Sequence, residues 1–160
     1  MATKTKTIVL AYSGGLDTSV AIKWLADRYD SEIVTVTADL GNNSDLPTVK
    51  ERAIATGARK AQIIDGKSTF IENFIWPALK ASALYEGVYP LATALARPLI
   101  AKFLVEAAKE ENAYAIAHGC TGKGNDQVRF DVSTLALAPE LKILAPARIW
   151  NMNRDQEIDY

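Results

Sequence analysis

Hydrophobic residues along the chain fall into two alternating kinds of segment. Short, mainly apolar runs predict buried β-strands, and these runs are 8–11, 33–38, 61–64, 114–117 and 141–144. Between them, apolar residues recur every three or four positions, as in Leu91, Leu95, Leu99 and Phe103, which predict a long helix bent at Pro98. The alternation of strands and helices predicts an α/β fold, in which helices cover both faces of a doubly wound, mainly parallel five-stranded sheet.

Capping residues predict where the helices begin and end. Asp17 or Thr18 suits the N-cap of the helix after the first strand, and residues 69–72 have the spacing of a capping box. Pro77 is expected to kink or end the helix that follows this box. The start and the end of the second helix are marked by Asp45, Pro47 and Gly57.

Composition excludes several classes of protein. The 160 residues carry a formal net charge of −1, which gives no general electrostatic reason to expect a nucleic-acid or membrane partner. A single cysteine, Cys120, and a single histidine, His118, exclude a disulfide framework and a zinc site built from several cysteines, whereas magnesium remains possible. No apolar run approaches the roughly 20 residues of a membrane-spanning helix, so a cytoplasmic protein is expected.

Residues 11–19 form a glycine-rich loop between the first strand and the first helix. Two adjacent glycines let the backbone turn sharply, and the amides at a helix N-terminus favour an anion. Hydroxyl groups on Ser13, Thr18 and Ser19 add further donors, so the loop suits a phosphate group. A plain strand-to-helix turn is the alternative, and Asp17 has two interpretations: helix N-cap, or acid near a magnesium ion on bound ATP.

Residues 118–130 form a second glycine-rich loop, which follows the fourth predicted strand. It combines both signs of charge with two amide side chains, a set that suits a zwitterionic ligand. Asp126 could hold an ammonium group, and Arg129 could hold a carboxylate through two hydrogen bonds. A solvated connecting loop is the alternative. Both glycine-rich loops follow strands, and ligands of parallel α/β sheets bind at the carboxyl ends of strands.

The first loop, Ser-Gly-Gly-Leu-Asp-Thr-Ser, resembles the pyrophosphate-binding loop of the N-type ATP pyrophosphatases, which have a Rossmann-like fold of the adenine nucleotide alpha hydrolase type. The second loop resembles the signature of the argininosuccinate synthase family. The segments 85–91 and 96–102 resemble the middle of the same family, so three separate blocks match in order. The resemblance implies that residues 1–160 are a nucleotide-binding domain, and that the family's second, synthetase domain is absent from this chain.

The resemblance implies an ATP-dependent ligase that joins citrulline and aspartate through a citrullyl-adenylate and releases AMP and pyrophosphate. It implies ATP binding by Ala11, Tyr12, Ser13, Gly14, Gly15, Leu16, Asp17, Thr18, Ser19, Ala38 and Gly119. It implies aspartate binding by Thr121, Asn125 and Asp126. It implies citrulline binding by Tyr89, Thr93, Ala94, Asn125 and Arg129. Mg²⁺ is expected near Asp17, no side chain is assigned as nucleophile or acid–base group, and full-length relatives are expected to be homotetramers.

Two other functions compete with this hypothesis. One is another ATP pyrophosphatase, such as a tRNA-thiolating or amidotransferase-linked enzyme, although thiolation favours more cysteines and a basic surface. The other is a nucleotide-binding module without turnover. Among single residues, His118 is expected to be structural rather than an acid–base group. Arg97 has two interpretations: it pins a carboxylate, or it lies on a solvated face.

Overall fold

The computed structural model describes residues 6–41, 45–150 and 152–160. One sheet of five parallel strands runs through the centre of the molecule in the order β3-β2-β1-β4-β5. The strands are β1 (Lys6–Ala11), β2 (Ser31–Asp39), β3 (Lys60–Asp65), β4 (Ala115–Ala117) and β5 (Lys142–Leu144). The predicted fold class and all five predicted strands are therefore confirmed.

Helices connect successive strands and cover both faces of the sheet. They are α1 (Leu16–Tyr29), α2 (Leu46–Ala55), α3 (Lys67–Phe70), α4 (Trp76–Lys80), α5 (Ala92–Glu110), α6 (Asp126–Leu137) and α7 (Arg154–Asp159). A π-helical turn, Ile71–Ile75, joins α3 to α4, and a 3₁₀ turn, Pro146–Arg148, follows β5. Among the described residues, no helix combines the length and apolarity needed to cross a bilayer.

Alternate residues of β1 belong to two hydrophobic cores, one on each face of the sheet. Ile8 and Leu10 pack in the core that α1 and α2 cover, whereas Val9 packs in the core that α5 covers. All three side chains are fully buried, which stabilises the fold by about 1.5–3 kcal/mol for each. The central strand is thus fixed on both faces, and its carboxyl end is a rigid base for the loop that follows.

Two predicted helix starts are wrong. The N-cap of α1 is Gly15, so Asp17 and Thr18 lie in the first turn, because the sharp turn at the two glycines begins the helix earlier. The capping box at 69–72 is absent, because the helix already begins at Lys67, whose backbone amide donates to Asp65 Oδ1 at 3.1 Å. The local pattern of polar residues does not reveal either start, since both depend on how the preceding strand ends.

The second helix begins where the sequence predicts. Asp45 caps α2 by accepting a hydrogen bond from the Thr48 amide at 3.2 Å. The helix does not end at Pro77: a π-helical turn ends at Ile75, and the α-helix then runs from Trp76 to Lys80 with Pro77 in its first turn. Pro98 lies within α5, as predicted.

The strand order reverses at β1, and this reversal places a crevice between β1 and β4. From β1 the chain proceeds to β2 on one side, whereas β4 pairs with the other side of β1. The loops that leave the carboxyl ends of β1 and β4 therefore diverge, and ligands of open parallel sheets bind at such a point. Both glycine-rich loops begin here.

Candidate functional site

A cleft of about 360 Å³ lies at the carboxyl ends of β1, β2 and β4. Its floor is formed by the ends of the strands, and its walls come from the two glycine-rich loops, α1, α2, α5 and α6. The lining residues are Ala11, Tyr12, Ser13, Gly15, Leu16, Asp17, Thr18, Val36, Thr37, Ala38, Val49, Arg97, Ile100, His118, Gly119, Cys120 and Phe130.

Tyr12 fixes the first loop to the sheet. Its backbone amide donates to the Val36 carbonyl at 2.9 Å, and its own carbonyl accepts from Thr37 Oγ1 at 2.9 Å. The buried phenol lies 2.9 Å from Ser19 Oγ, and that hydroxyl in turn donates to the Gly15 carbonyl at 2.9 Å. Both side chains are thus used to hold the loop in shape.

The N-terminus of α1 lacks an internal cap. Gly15 has no side chain to accept the amide hydrogens of the first turn, in contrast to Asp45 at α2 and Asn153 at α7, whose side chains do accept them. Gly14 is in the left-handed region with φ +79°, which lets the chain turn into the helix. Ser13 Oγ and Thr18 Oγ1 lie 3.2 Å apart beside these amides. The amides form a cradle that favours an anion.

The second loop contacts the first directly. A Cβ placed on Gly119 would lie 2.9 Å from the Thr18 Cγ2 methyl group, so only glycine allows this close approach without rearrangement. The contact closes one side of the cleft between residues that are distant in sequence. It also makes the position of α1 depend on the end of β4.

A cluster of charged side chains lies beside the cleft. Asp126 accepts from Arg97 Nε at 3.0 Å through one carboxylate oxygen and from Arg129 Nη1 at 2.7 Å through the other. The Tyr89 hydroxyl lies 3.3 Å from Thr93 Oγ1, and hydrogen bonds from Thr93, aided by the charge of Arg129, lower the pKa of Tyr89. Two guanidinium groups and one carboxylate leave a net positive charge, which suits a ligand carboxylate.

His118 is held by contacts within the fold, in keeping with the structural role that the sequence predicts. Its ring is fully buried, stacks on Phe130 at 5.1 Å, and bonds to Asp131 Oδ1 through Nε2 at 3.0 Å. Nδ1 accepts from the Cys120 amide at 3.3 Å, so the neutral ring with its proton on Nε2 satisfies both contacts. Burial lowers the pKa of His118 and keeps the ring neutral. Burial also raises the pKa of the Cys120 thiol, which favours the unreactive thiol form.

Two carboxyl groups meet at the mouth of the first loop. Glu157 of α7 lies near Asp17, and burial together with the charge of Asp17 raises the pKa of Glu157. The described part of the chain brings no three His, Cys, Asp or Glu side chains together as a metal cluster. The oxygen donors nearest the loop are the Asp17 carboxylate and the hydroxyl groups of Ser13 and Thr18, and such donors suit Mg²⁺.

The predicted ATP residues converge on the cleft. All of them line it except Gly14 and Ser19, which belong to the same loop. Of the predicted aspartate and citrulline residues, the structure brings together Tyr89, Thr93, Asp126 and Arg129 beside the cleft. Among the described residues, the side chains of the other three make no hydrogen bond to this cluster, although the Asn125 carbonyl accepts from the Arg129 amide at 3.2 Å. Ala94 is half-buried in α5, and Thr121 and Asn125 are exposed on the second loop.

Sequence reasoning missed several residues of the site. Thr37 and Val49 line the cleft, and Arg52 of α2 donates through Nη1 to the Gly14 carbonyl at 2.5 Å. Thr37 lies near the end of the predicted strand 33–38. Because successive side chains of a strand point to opposite faces, the alternation along this strand is the signal that could have distinguished Thr37 from the core residues. The sequence near Arg52 is typical of a solvent-facing helix and carries no signal of this contact.

The sequence comparisons agree with one another. The family model described as the arginosuccinate synthase N-terminal HUP domain matches residues 7–160. The chain is 61% identical over 153 residues to argininosuccinate synthase of Dehalococcoides mccartyi, covering 96% of the chain and 38% of that protein. It is 60% identical over 153 residues to argininosuccinate synthase of Oceanobacillus iheyensis, covering 96% of the chain and 37% of that protein. The chain thus spans well under half the length of the curated relatives that it matches.

Solved structures with similar folds are distant in sequence. One is described as a predicted subunit of tRNA methyltransferase from Methanocaldococcus jannaschii, with a TM-score of 0.59 and 13% identity over 96% of this chain and 73% of that chain. Another is an NH3-dependent NAD synthetase from Campylobacter jejuni, with a TM-score of 0.57 and 11% identity over 99% of this chain and 63% of that chain. At such identities the likeness shows the fold alone.

Proposed function

Since the chain belongs to the argininosuccinate synthase family, we propose that it is the nucleotide-binding part of a ligase that joins citrulline to aspartate with ATP. The chain spans 38% of the length of one curated relative. We also propose that residues 1–160 act as one ATP pyrophosphatase-type domain, that the protein is cytoplasmic, and that it assembles as a homotetramer when the rest of the family's length is present.

The position of Arg97 is the observation that carries the proposal. Its side chain lines the cleft beside the anion cradle, and it also bonds to Asp126 in the charged cluster at 3.0 Å. A phosphate group in the cradle and a zwitterionic amino acid at the cluster would therefore be neighbours. Bringing two substrates together in this way is what a ligase requires.

The proposed reaction has two steps. The ureido oxygen of citrulline attacks the α-phosphorus of ATP, and pyrophosphate leaves. The aspartate amine then attacks the ureido carbon of the citrullyl-adenylate, and AMP leaves to give argininosuccinate. The amides of α1 and the Ser13 hydroxyl would hold the departing pyrophosphate, while Arg97 and Arg129 would hold substrate carboxylates. Positioning and charge stabilisation suffice for both steps, so no side-chain nucleophile is required.

Magnesium fits the donors at the first loop. The Asp17 carboxylate, with the Ser13 and Thr18 hydroxyl groups, would hold the ion near the phosphates, since these are oxygen ligands. When bound, Mg²⁺ supplies charge neutralisation on the triphosphate. The chain's own contribution is to orient the phosphates on the amides of α1.

Product analysis tests the proposal. The purified chain is incubated with Mg-ATP, citrulline and aspartate, each omitted in turn, and AMP and pyrophosphate are quantified. Formation of both products only when citrulline is present supports the adenylating ligase. AMP formation at the same rate with and without citrulline contradicts it and favours another ATP pyrophosphatase. ATP binding without turnover indicates that this part of the protein binds nucleotide but does not complete the reaction alone.

Isothermal titration calorimetry with Mg-ATP locates the nucleotide. Gly15→Val places a branched side chain in the cleft and is expected to abolish binding, because Gly15 lines the cradle. Gly122→Val is the matched control: Gly122 lies in the second loop, and a Cβ there meets no atom within 4 Å. Equal affinity of the two variants would contradict the placement of the phosphates at the first loop.

A further inference from the structure

Helix α2 supports the first loop from behind at two points. Arg52 Nη1 donates to the Gly14 carbonyl at 2.5 Å, across 38 residues of sequence. One helical turn earlier, the Val49 side chain packs so closely on Gly14 that a Cβ there would lie 3.0 Å from Val49 Cγ2. The loop that forms the anion cradle is therefore fixed by α2 as well as by β1.

The Arg52 contact determines which way one peptide group faces. In a trans peptide the carbonyl and the following amide point in opposite directions, so anchoring the Gly14 carbonyl to Arg52 turns the Gly15 amide the other way. That amide donates to Ser13 Oγ at 3.4 Å, and both Ser13 and Gly15 line the cleft. This long hydrogen bond leaves the amide able to donate to a phosphate oxygen.

The same peptide group would otherwise rotate easily. It lies between two glycines, which impose the weakest steric limits on the dihedral angles at either end. A rotated peptide would present the Gly14 carbonyl oxygen to the cleft, and that oxygen would repel a phosphate. A charge-assisted hydrogen bond from a guanidinium group opposes this rotation more strongly than a neutral donor would.

We propose that Arg52 is a positioning residue that locks the Gly14–Gly15 peptide with its amide facing the bound phosphates. The proposal rests on the proposed function, because it takes the cleft to be the phosphate site. Arg52 itself does not line the cleft, so it acts through the loop rather than on the ligand. Its role is to keep the cradle in its anion-binding form before the nucleotide arrives.

The test compares Arg52→Met with Arg52→Lys, which keeps the charge and a donor, and with Lys50→Met, which removes a positive charge from the same helix. Calorimetry with Mg-ATP and with Mg-pyrophosphate gives affinities, and urea titration gives the free energy of unfolding. The Gly15 amide resonance in ¹⁵N–¹H spectra of the ligand-free chain reports the peptide orientation. Should Arg52→Met fail to fold, Arg52→Gln is measured in its place.

Arg52→Met is expected to bind both ligands at least about tenfold more weakly, the loss typical of one charge-assisted hydrogen bond. Its Gly15 amide resonance is expected to move, whereas Arg52→Lys regains most of the affinity and Lys50→Met stays within about twofold of wild type. Unchanged affinity in Arg52→Met, or an equal loss in Lys50→Met, overturns the positioning role alone. Failure of the wild-type chain to bind either ligand overturns the proposed function and this inference with it.

Discussion

The contact between Gly119 and Thr18 predicts a strong coupling between the two glycine-rich loops. Gly119→Ala places a Cβ 2.9 Å from Thr18 Cγ2, and Thr18 is only 9% exposed, so the methyl group has little room to move. Overpacking of this kind costs about 1–3 kcal/mol. Thr18→Ser removes the methyl group but keeps the hydroxyl that donates to the Gly15 carbonyl at 3.2 Å, and it costs about 0.5–1.5 kcal/mol by itself.

The double variant is therefore expected to be about as stable as Thr18→Ser, which gives a coupling of about 1–3 kcal/mol. Urea denaturation followed by circular dichroism measures all four free energies of unfolding, and Mg-ATP calorimetry shows whether affinity recovers in parallel. Gly122→Ala is the control, because a Cβ at Gly122 meets no atom within 4 Å. If the losses of unfolding free energy in the two single variants add up to the loss in the double variant within about 0.5 kcal/mol, the coupling between the two loops is refuted.

Three further predictions concern backbone conformation, a buried hydroxyl and pH. Gly14→Ala should destabilise the chain by at least about 1–2 kcal/mol in urea denaturation, because the φ angle of Gly14 is +79°. Gly15→Ala should destabilise it much less, because the φ angle of Gly15 is −78°. Equal losses of stability in the two variants would contradict the loop geometry. Tyr12→Phe should cost about 0.5–1.5 kcal/mol in the same assay, since it deletes the bond to Ser19, and an unchanged midpoint would argue against that bond. Burial lowers the pKa of His118, so as the pH falls below 6.5 the unfolded chain binds a proton before the folded chain does. The free energy of unfolding should therefore decrease by up to about 1.4 kcal/mol for each pH unit of acidification. His118 is the only histidine, so its NMR titration should show one midpoint below 6.5, and a midpoint above 6.5 would contradict the buried neutral ring.

The strands and the order of elements were predictable because their signals are local. Residues 33–38 combine β-branched side chains with continuous apolarity, and such a run has few alternatives to a buried strand. The two glycine-rich loops were predictable for the same reason, since each directly follows an apolar run. Their convergence on one cleft then follows from the general geometry of parallel sheets.

The features that sequence reasoning missed depend on contacts between distant segments. Arg52 looks like a surface residue of α2, and only the packing of α2 behind β1 brings it to the Gly14 carbonyl. The start of α1 was misplaced because Asp17 is a good capping residue in isolation, whereas the chain already turns at Gly15. Likewise, the two interpretations of Arg97 could be distinguished only when the fold placed Asp126 beside it.

The central position of β1 has a consequence for the chain during synthesis. β1 is made first among the strands and pairs with β2 soon afterwards, but its other edge stays open until β4 is made, roughly a hundred residues later. At typical translation speeds this interval lasts roughly 5–20 s. Throughout it, the apolar edge at Ile8–Ala11 is available to the wrong strand, including one from a neighbouring nascent chain. The strand that carries the first glycine-rich loop is thus also a segment that needs protection on the ribosome.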